Sequence, residues 1–108
     1  MSLKINVTTE AANDAISIAE FLAGRSSLNT SDKFLSATTQ VYRLLADMPG
    51  LGSSRDYGQS FSGLRVWHVP NFPKYLIFYR ATDTELTILR VLHGAQNITQ
   101  IFSDPEED

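Results

Sequence analysis

The chain has 108 residues, of which 43% are hydrophobic and 19% are charged, and this suits one compact domain with a single modest core. It contains no cysteine, which excludes disulfides, thiolate metal sites and a cysteine nucleophile, and its two histidines are too few for the usual catalytic zinc site. The formal charge is −3, but it becomes +1 without four clustered acidic residues, Asp104, Glu106, Glu107 and Asp108. We therefore expect one domain over residues 1–103 and an acidic, disordered tail over residues 104–108.

The N-terminal segment lacks the basic stretch and apolar run of a secretory signal, and no apolar window reaches the length of a membrane span. We therefore expect a cytoplasmic protein that does not associate with membranes. Between residues 63 and 93, four basic residues outnumber two acidic ones. This bias is weaker than the dense basic surface of most nucleic-acid-binding proteins, so direct binding to nucleic acid is not expected.

The first half of the chain predicts one strand and two helices. Residues 4–8 alternate polar and apolar side chains, as in a short strand. Thr9 is a suitable helix N-cap, and apolar residues then recur at helical spacing until near Gly24. After a polar loop over residues 25–31, a second helix is predicted to end at Met48-Pro49-Gly50. Two helices joined by so short a loop form an antiparallel hairpin.

The second half of the chain predicts a meander of three strands. Residues 51–62 are rich in glycine and serine and predict a surface loop without regular structure. Strands are then predicted over residues 64–69, 75–80 and 85–91. In the first of these, Arg65, Trp67 and Val69 alternate with Leu64, Val66 and His68, so each set lies on one face. The predicted class is α+β, with a two-helix hairpin on a mainly antiparallel four-stranded sheet and a short C-terminal helix.

Five stretches of the sequence carry a family resemblance when they are taken in order. They are Glu-Ala-Ala, Leu-Ala-Asp-Met-Pro-Gly-Leu-Gly, Gly-Leu-Arg, Tyr-Leu-Ile-Phe-Tyr-Arg and Ile-Leu-Arg-Val-Leu-His-Gly-Ala. From about Ile5 to Phe102 the chain resembles the ParE toxins of the RelE/ParE superfamily, the toxic halves of bacterial type II toxin-antitoxin pairs, which include plasmid stabilisation proteins. The resemblance implies a cytoplasmic toxin without a cofactor, neutralised by a cognate antitoxin. For characterised ParE members it also implies poisoning of DNA gyrase.

A second activity occurs in the same superfamily, since RelE-like members cleave messenger RNA on the ribosome. If this chain were such a ribonuclease, Arg65, Arg90 and His93 would be its catalytic residues. Three positions depart from that pattern, where a cation, an arginine and a tyrosine are replaced by Trp67, Gln96 and Phe102. These departures favour a protein-binding toxin, which needs no catalytic group. A homologue that binds antitoxin without being toxic is a third alternative.

Five residues are candidates for contact with the growth target: Arg65, Trp67, Arg90, His93 and Phe102. Each also has a structural interpretation. The arginines can pair with carboxylates such as Asp47 or Asp56, and a histidine that closes a strand beside a glycine is often held by the backbone. Trp67 can equally fill the core, and Phe102 can anchor a helical tail.

Four residues of the first helix are candidates for antitoxin binding: Ile16, Ala19, Phe21 and Ala23. These residues are the ones left for contact with a partner once one face of the helix is assigned to the core. By the family resemblance, an antitoxin would wrap such a groove as a helix or as an added strand. An uncovered groove could instead support a homodimer.

Overall fold

The computed structural model describes residues 2–58 and 61–102, so the predicted tail over residues 104–108 lies outside the described residues. The strands are β1 (Lys4–Val7), β2 (Ser53–Ser54), β3 (Arg65–Val69), β4 (Phe72–Ala81) and β5 (Glu85–His93). The helices are α1 (Thr9–Arg25), α2 (Leu28–Asp47) and the single-turn α3 (Ile98–Ile101). The predicted α+β class, helical hairpin and short C-terminal helix are confirmed.

The sheet has the strand order β1-β5-β4-β3-β2. β1 runs parallel to β5, whereas every other neighbouring pair is antiparallel. The predicted count of four strands is wrong by one, because Ser53 and Ser54 pair with Val66 and Arg65 within the segment predicted as an irregular loop. Two polar residues carry no periodic apolar signal, so only their tertiary pairing identifies them as a strand.

Each of the two long helices has an N-cap residue whose hydroxyl accepts a hydrogen bond from the first turn of the helix. The N-cap of α1 is Thr8 rather than the predicted Thr9, since the Thr8 hydroxyl accepts from the Ala11 amide at 3.0 Å. The same hydroxyl donates to the Leu89 carbonyl at 2.9 Å, which ties the start of α1 to β5. Ser27 caps α2 by accepting from the Thr30 amide at 3.0 Å, so α2 begins earlier than the sequence pattern indicated.

The helix-side core fills the space between the two long helices and one face of the sheet. Small α1 residues such as Ala11 allow close approach, and Phe34 of α2 sits edge-on against Phe72 and Tyr75 of β4. Ile77 and Tyr79 of β4 are completely buried in this core. The alternation predicted for β3 is confirmed, because Val69 and Trp67 pack on this side while Leu64 and Val66 pack on the other.

The opposite face of the sheet is covered by a second, smaller cluster of apolar side chains, which we call the second-face cluster. Its buried members are Leu64, Val66, Phe78, Leu92 and Phe102, and Tyr57, Phe61, Leu76, Leu89, Ile98 and Ile101 pack around them. The register of β4 and β5 shifts here, since Phe78 pairs with Arg90 and Tyr79 with Ile88, leaving Leu89 as the extra residue of a bulge. Ile98, Ile101 and Phe102 belong to or pack against this cluster, so the C-terminal segment covers part of this face of the sheet.

Candidate functional site

Arg65 is anchored to the turn that follows α2. Its Nη1 atom donates to the Gly52 carbonyl at 2.6 Å and lies 3.4 Å from the Gly50 carbonyl. Neither of the carboxylates proposed from the sequence is its partner in the described contacts, since Asp47 accepts from the Ser2 hydroxyl and Asp56 from the Gly58 amide. The guanidinium thus holds a turn of the backbone.

Tyr79 fixes the same turn from the helix side of the sheet. Its hydroxyl accepts from the Gly52 amide at 2.8 Å and donates to the Pro49 carbonyl at 2.8 Å. A Cβ atom at Gly52 would lie 2.5 Å from the Tyr79 hydroxyl oxygen and 2.8 Å from the Val66 carbonyl, so a side chain does not fit there. Burial raises the pKa of Tyr79, and the phenol stays neutral at physiological pH.

Arg90 is held by Asp14 of α1 in a two-pronged ion pair. Nε and Nη2 of Arg90 donate to the two Asp14 carboxylate oxygens at 2.7 and 2.9 Å. The Asp14 carboxylate also accepts from the Val91 amide at 3.0 Å, at a point on β5 beyond the last residue of β1. Hydrogen bonding to Asp14 raises the pKa of Arg90 above its ordinary value. The pair therefore fastens α1 to the uncovered end of β5.

His93 shapes the turn between β5 and α3. Its Nδ1 atom accepts from the Ala95 amide at 2.9 Å, and its own amide donates to the Gln96 side-chain oxygen at 2.7 Å. Its ring stands edge-on to Tyr75 with 5.0 Å between the ring centres. A backbone amide donor and the neighbouring Tyr75 ring thus engage the imidazole.

The three residues required by the ribonuclease hypothesis do not converge on one point. Arg65 pairs across the sheet with Tyr79 on the helix side, whereas Arg90 is placed opposite Phe78 of the second-face cluster. The two arginines are on strands separated by β4, so their backbones are about 10 Å apart. His93 lies opposite Tyr75, nearer the β3-β4 turn. Each of the three side chains makes internal contacts.

The two aromatic candidates differ in their exposure. Trp67 is half-buried against the helix-side core, and its ring lies 5.1 Å from that of His68 at an interplanar angle of 29°. Phe102 is only 2% exposed and contacts the rings of Phe78, Phe61 and Tyr57 at 4.9, 5.1 and 5.6 Å. Trp67 therefore has surface available to a partner, whereas Phe102 is enclosed in the second-face cluster.

The four α1 candidates also divide by exposure. Ile16 and Phe21 are 54% and 53% exposed, whereas Ala19 is buried and Ala23 is partly buried. The Arg25 guanidinium lies over the Phe21 ring at 5.5 Å. Several other apolar side chains are exposed, including Leu28, Leu35, Leu44 and Met48 of the hairpin and Ile5 and Val7 of β1. Leu44 and Met48 have the helical spacing of the buried stripe and were expected to be buried with it, so this expectation is wrong.

Comparison with protein families decides the classification. The family model described as the ParE toxin of the type II toxin-antitoxin system parDE matches residues 5–98. The chain belongs to the ParE toxin family. It is therefore a toxin of a type II toxin-antitoxin system, and its partner is an antitoxin. No curated protein sequence matches the chain.

Solved structures support the ParE fold independently of sequence. The chromosomal ParDE toxin-antitoxin system of P. aeruginosa matches with a TM-score of 0.69 and 17% identity, over 85% of this chain and 96% of the other. The E. coli DinJ-YafQ toxin-antitoxin complex matches with a TM-score of 0.56 and 20% identity, over 88% and 96% of the two chains. At these identities the likeness shows the shared fold.

In this ParE chain, three of the five stretches that carried the resemblance are joined by the contacts of Arg65 and Tyr79. Arg65 donates to the Gly52 carbonyl in the turn of Pro49 to Gly52. The Tyr79 hydroxyl accepts from the Gly52 amide and donates to the Pro49 carbonyl of the same turn. The described residues contain no group of three or more His, Cys, Asp or Glu side chains suited to a metal ion. No described helix is long and apolar enough to cross a membrane.

Proposed function

We propose that this ParE-family toxin arrests growth by binding a protein target, DNA gyrase, and that an antitoxin neutralises it by covering the α1-α2 hairpin. In this proposal it acts in the cytoplasm, without a cofactor, as part of a plasmid stabilisation or similar two-gene system. The observation that carries the choice of a binding mechanism is the engagement of Arg65, Arg90 and His93 in separate internal contacts.

The engagement of these groups counts against ribonuclease chemistry. Such an enzyme must deprotonate a 2′-hydroxyl, stabilise a phosphorane and protonate a leaving oxygen at one place. Here Nε and Nη2 of Arg90 are directed at Asp14, and His93 Nδ1 accepts from the backbone. Phe102 has no hydroxyl and is enclosed by other rings. Inhibition by binding requires only a complementary surface.

The target surface that we propose has Trp67 as its directly contacting residue. Tryptophan is enriched among the residues that dominate binding energy, and this one is half-exposed on a strand near the edge of the sheet. Arg65, Arg90, His93 and Phe102 contribute to this surface by fixing the strands and turns that present it.

The antitoxin surface that we propose is centred on α1. Ile16 and Phe21 offer exposed apolar area, and the small, partly buried Ala23 allows a partner backbone to approach closely. Ala19 is buried and contributes only by positioning α1. Leu28 and Leu44 of α2 and Met48 at its C-cap are further exposed apolar side chains of the hairpin. An amphipathic helix laid on such a surface gains about 25 cal/mol for each Å² of apolar area buried. Without antitoxin, the same area would favour a homodimer.

The growth target is tested by inducing the chain in bacteria without antitoxin and pulse-labelling DNA, RNA and protein within minutes. We expect DNA synthesis to fall first while translation continues, and purified gyrase to lose supercoiling activity when the toxin is added. Early loss of translation with cleaved messenger RNA would contradict the proposal and favour the ribonuclease. Normal growth, with antitoxin still bound, would indicate a non-toxic homologue.

The antitoxin surface is tested with Ile16→Asp and Phe21→Asp, compared with Ser17→Asp at an exposed polar position of the same helix. We expect each apolar replacement to weaken co-purification with the antitoxin encoded beside the toxin gene at least about tenfold, because a charge would be buried in an apolar contact. The Ser17 variant should bind normally. Equal binding by all three variants would remove α1 from the interface.

A further inference from the structure

A small polar pocket lies at the edge of the sheet where β2 ends. Its volume is about 200 Å³, and it is lined by Ser53, Arg55, Val66, Trp67, His68 and Leu76. β2 pairs only with Arg65 and Val66, so its pairing with β3 stops before His68, whose side chain is exposed. The short length of β2 therefore leaves this pocket open to solvent.

The charge of the pocket is positive. Arg55 is exposed, and its Nη1 atom donates to the Ser54 carbonyl at 3.1 Å, which orients the guanidinium beside the strand. None of the residues that line the pocket is acidic. The neighbouring carboxylate, Asp56, accepts from the Gly58 amide at 3.2 Å. Arg55 thus differs from Arg90, whose guanidinium is neutralised by a carboxylate.

The walls of the pocket combine rigid apolar surface with polar groups. Trp67 packs against the helix-side core and stacks on His68, while Leu76 packs against the second-face cluster. An anion beside such walls is partly shielded from water, which strengthens its attraction to Arg55. Ser53 supplies a hydroxyl that can donate to the same anion.

We propose that this pocket binds a carboxylate side chain, glutamate or aspartate, carried by an extended segment of a partner protein. A carboxylate matches the guanidinium of Arg55, and a neighbouring apolar side chain of the segment would lie on Trp67. One arginine beside a histidine is too little charge for a nucleic-acid backbone, where affinity depends on several neutralised phosphates. The inference concerns recognition of an acidic segment and does not require gyrase to be the target.

The chain offers a local reporter, since Trp67 is its single tryptophan. The probe is an acetylated, amidated hexapeptide of alternating threonine and glutamate, titrated at low salt while Trp67 emission and its indole N–H resonance are followed. We expect a saturable change with this peptide and none with the matched peptide of threonine and glutamine. Arg55→Ala should weaken binding at least about tenfold, and Arg55→Lys should recover part of the loss.

The matched control is Arg43→Ala, which removes an exposed cation of α2 outside the pocket. It should bind the glutamate peptide as the unaltered protein does, and circular dichroism checks that each variant is folded. The proposal would be overturned if the Arg55→Ala variant bound the glutamate peptide as tightly as the unaltered protein does. It would also be overturned if the glutamine peptide bound as tightly as the glutamate peptide. The absence of any saturable change would overturn it too, as would tighter binding of a six-nucleotide single-stranded DNA than of the glutamate peptide.

Discussion

The turn after α2 offers the sharpest test of how this sequence holds its fold. Replacing Tyr79 by Phe removes one hydroxyl and two hydrogen bonds, to the Gly52 amide and the Pro49 carbonyl, both 2.8 Å long. The ring is completely buried, so its packing is retained in the variant. The change therefore isolates the polar contribution of the hydroxyl.

The expected cost follows from the burial of the two partners. A typical hydrogen bond contributes about 1 kcal/mol net, and a buried donor left without a partner costs about 1–3 kcal/mol. Gly52 is buried and Pro49 is partly exposed, so the amide carries most of the loss. We expect Tyr79→Phe to lower the free energy of unfolding by about 2–3 kcal/mol, a large share of the stability of so small a domain.

Urea unfolding measures this difference. With a slope of about 1.2 kcal/mol per molar urea, the midpoint should fall by about 2 M without a change in slope. Tyr75→Phe is the matched control, because the described contacts of Tyr75 are made by its ring, against Phe34 and His93. If Tyr79→Phe and Tyr75→Phe lower the free energy of unfolding equally, the two hydrogen bonds of the Tyr79 hydroxyl do not stabilise the turn, and the prediction is wrong.

Three further results are expected. Asp14→Ala should cost about 1–3 kcal/mol and speed hydrogen exchange at the Val91 amide, because the carboxylate that accepts from it is gone; unchanged exchange would contradict this role. Phe102→Ala should cost about 3–4 kcal/mol in thermal or urea unfolding, since it removes a buried ring and opens a cavity beside the buried Phe78; a loss under 1 kcal/mol would mean that the segment is not packed. Burial raises the pKa values of Tyr79 and Tyr42 above the ordinary 10.0, so their contribution to stability is complete below pH 10 and lost as the pH rises through the folded pKa. The variant with both Tyr42→Phe and Tyr79→Phe should therefore lose less unfolding free energy above pH 10 than the unaltered protein does, and identical pH profiles for the two proteins would refute this.

The regular elements could be predicted because each has its own local signal. Alternation in β3 correctly separated Arg65, Trp67 and Val69 from Leu64, Val66 and His68, and helical spacing located both long helices. The two-residue β2 has no such signal and exists only because its backbone meets β3. The N-cap of α1 was misplaced by one residue because Thr8 and Thr9 are chemically alike. Only Thr8 can reach both the Ala11 amide and the Leu89 carbonyl.

The contacts of the candidate residues could not be predicted, because they join distant parts of the chain. Arg90 and Asp14 are 76 positions apart, and no local pattern connects them. Phe102 looked like a tail residue, and its burial depends on Tyr57 and Phe61 in a segment whose sequence indicates only a loop. Sequence could identify the chemistry of each side chain, but only the fold determines which partner that chemistry meets.

Arg65 and Arg90 both donate to groups within the protein, and this limits how catalytic activity could arise in this fold. A catalytic arginine must direct free donors at a phosphate, whereas Arg90 donates to Asp14 and Arg65 donates to the Gly52 carbonyl. If recruitment for catalysis drew either side chain away from its present position, Asp14 or the turn after α2 would lose its partner, at a cost of about 1–3 kcal/mol each. A toxin that acts by binding meets no such conflict, since anchored side chains rigidify the backbone that presents Trp67. The same contacts that weaken the ribonuclease hypothesis therefore favour a preformed protein-binding surface.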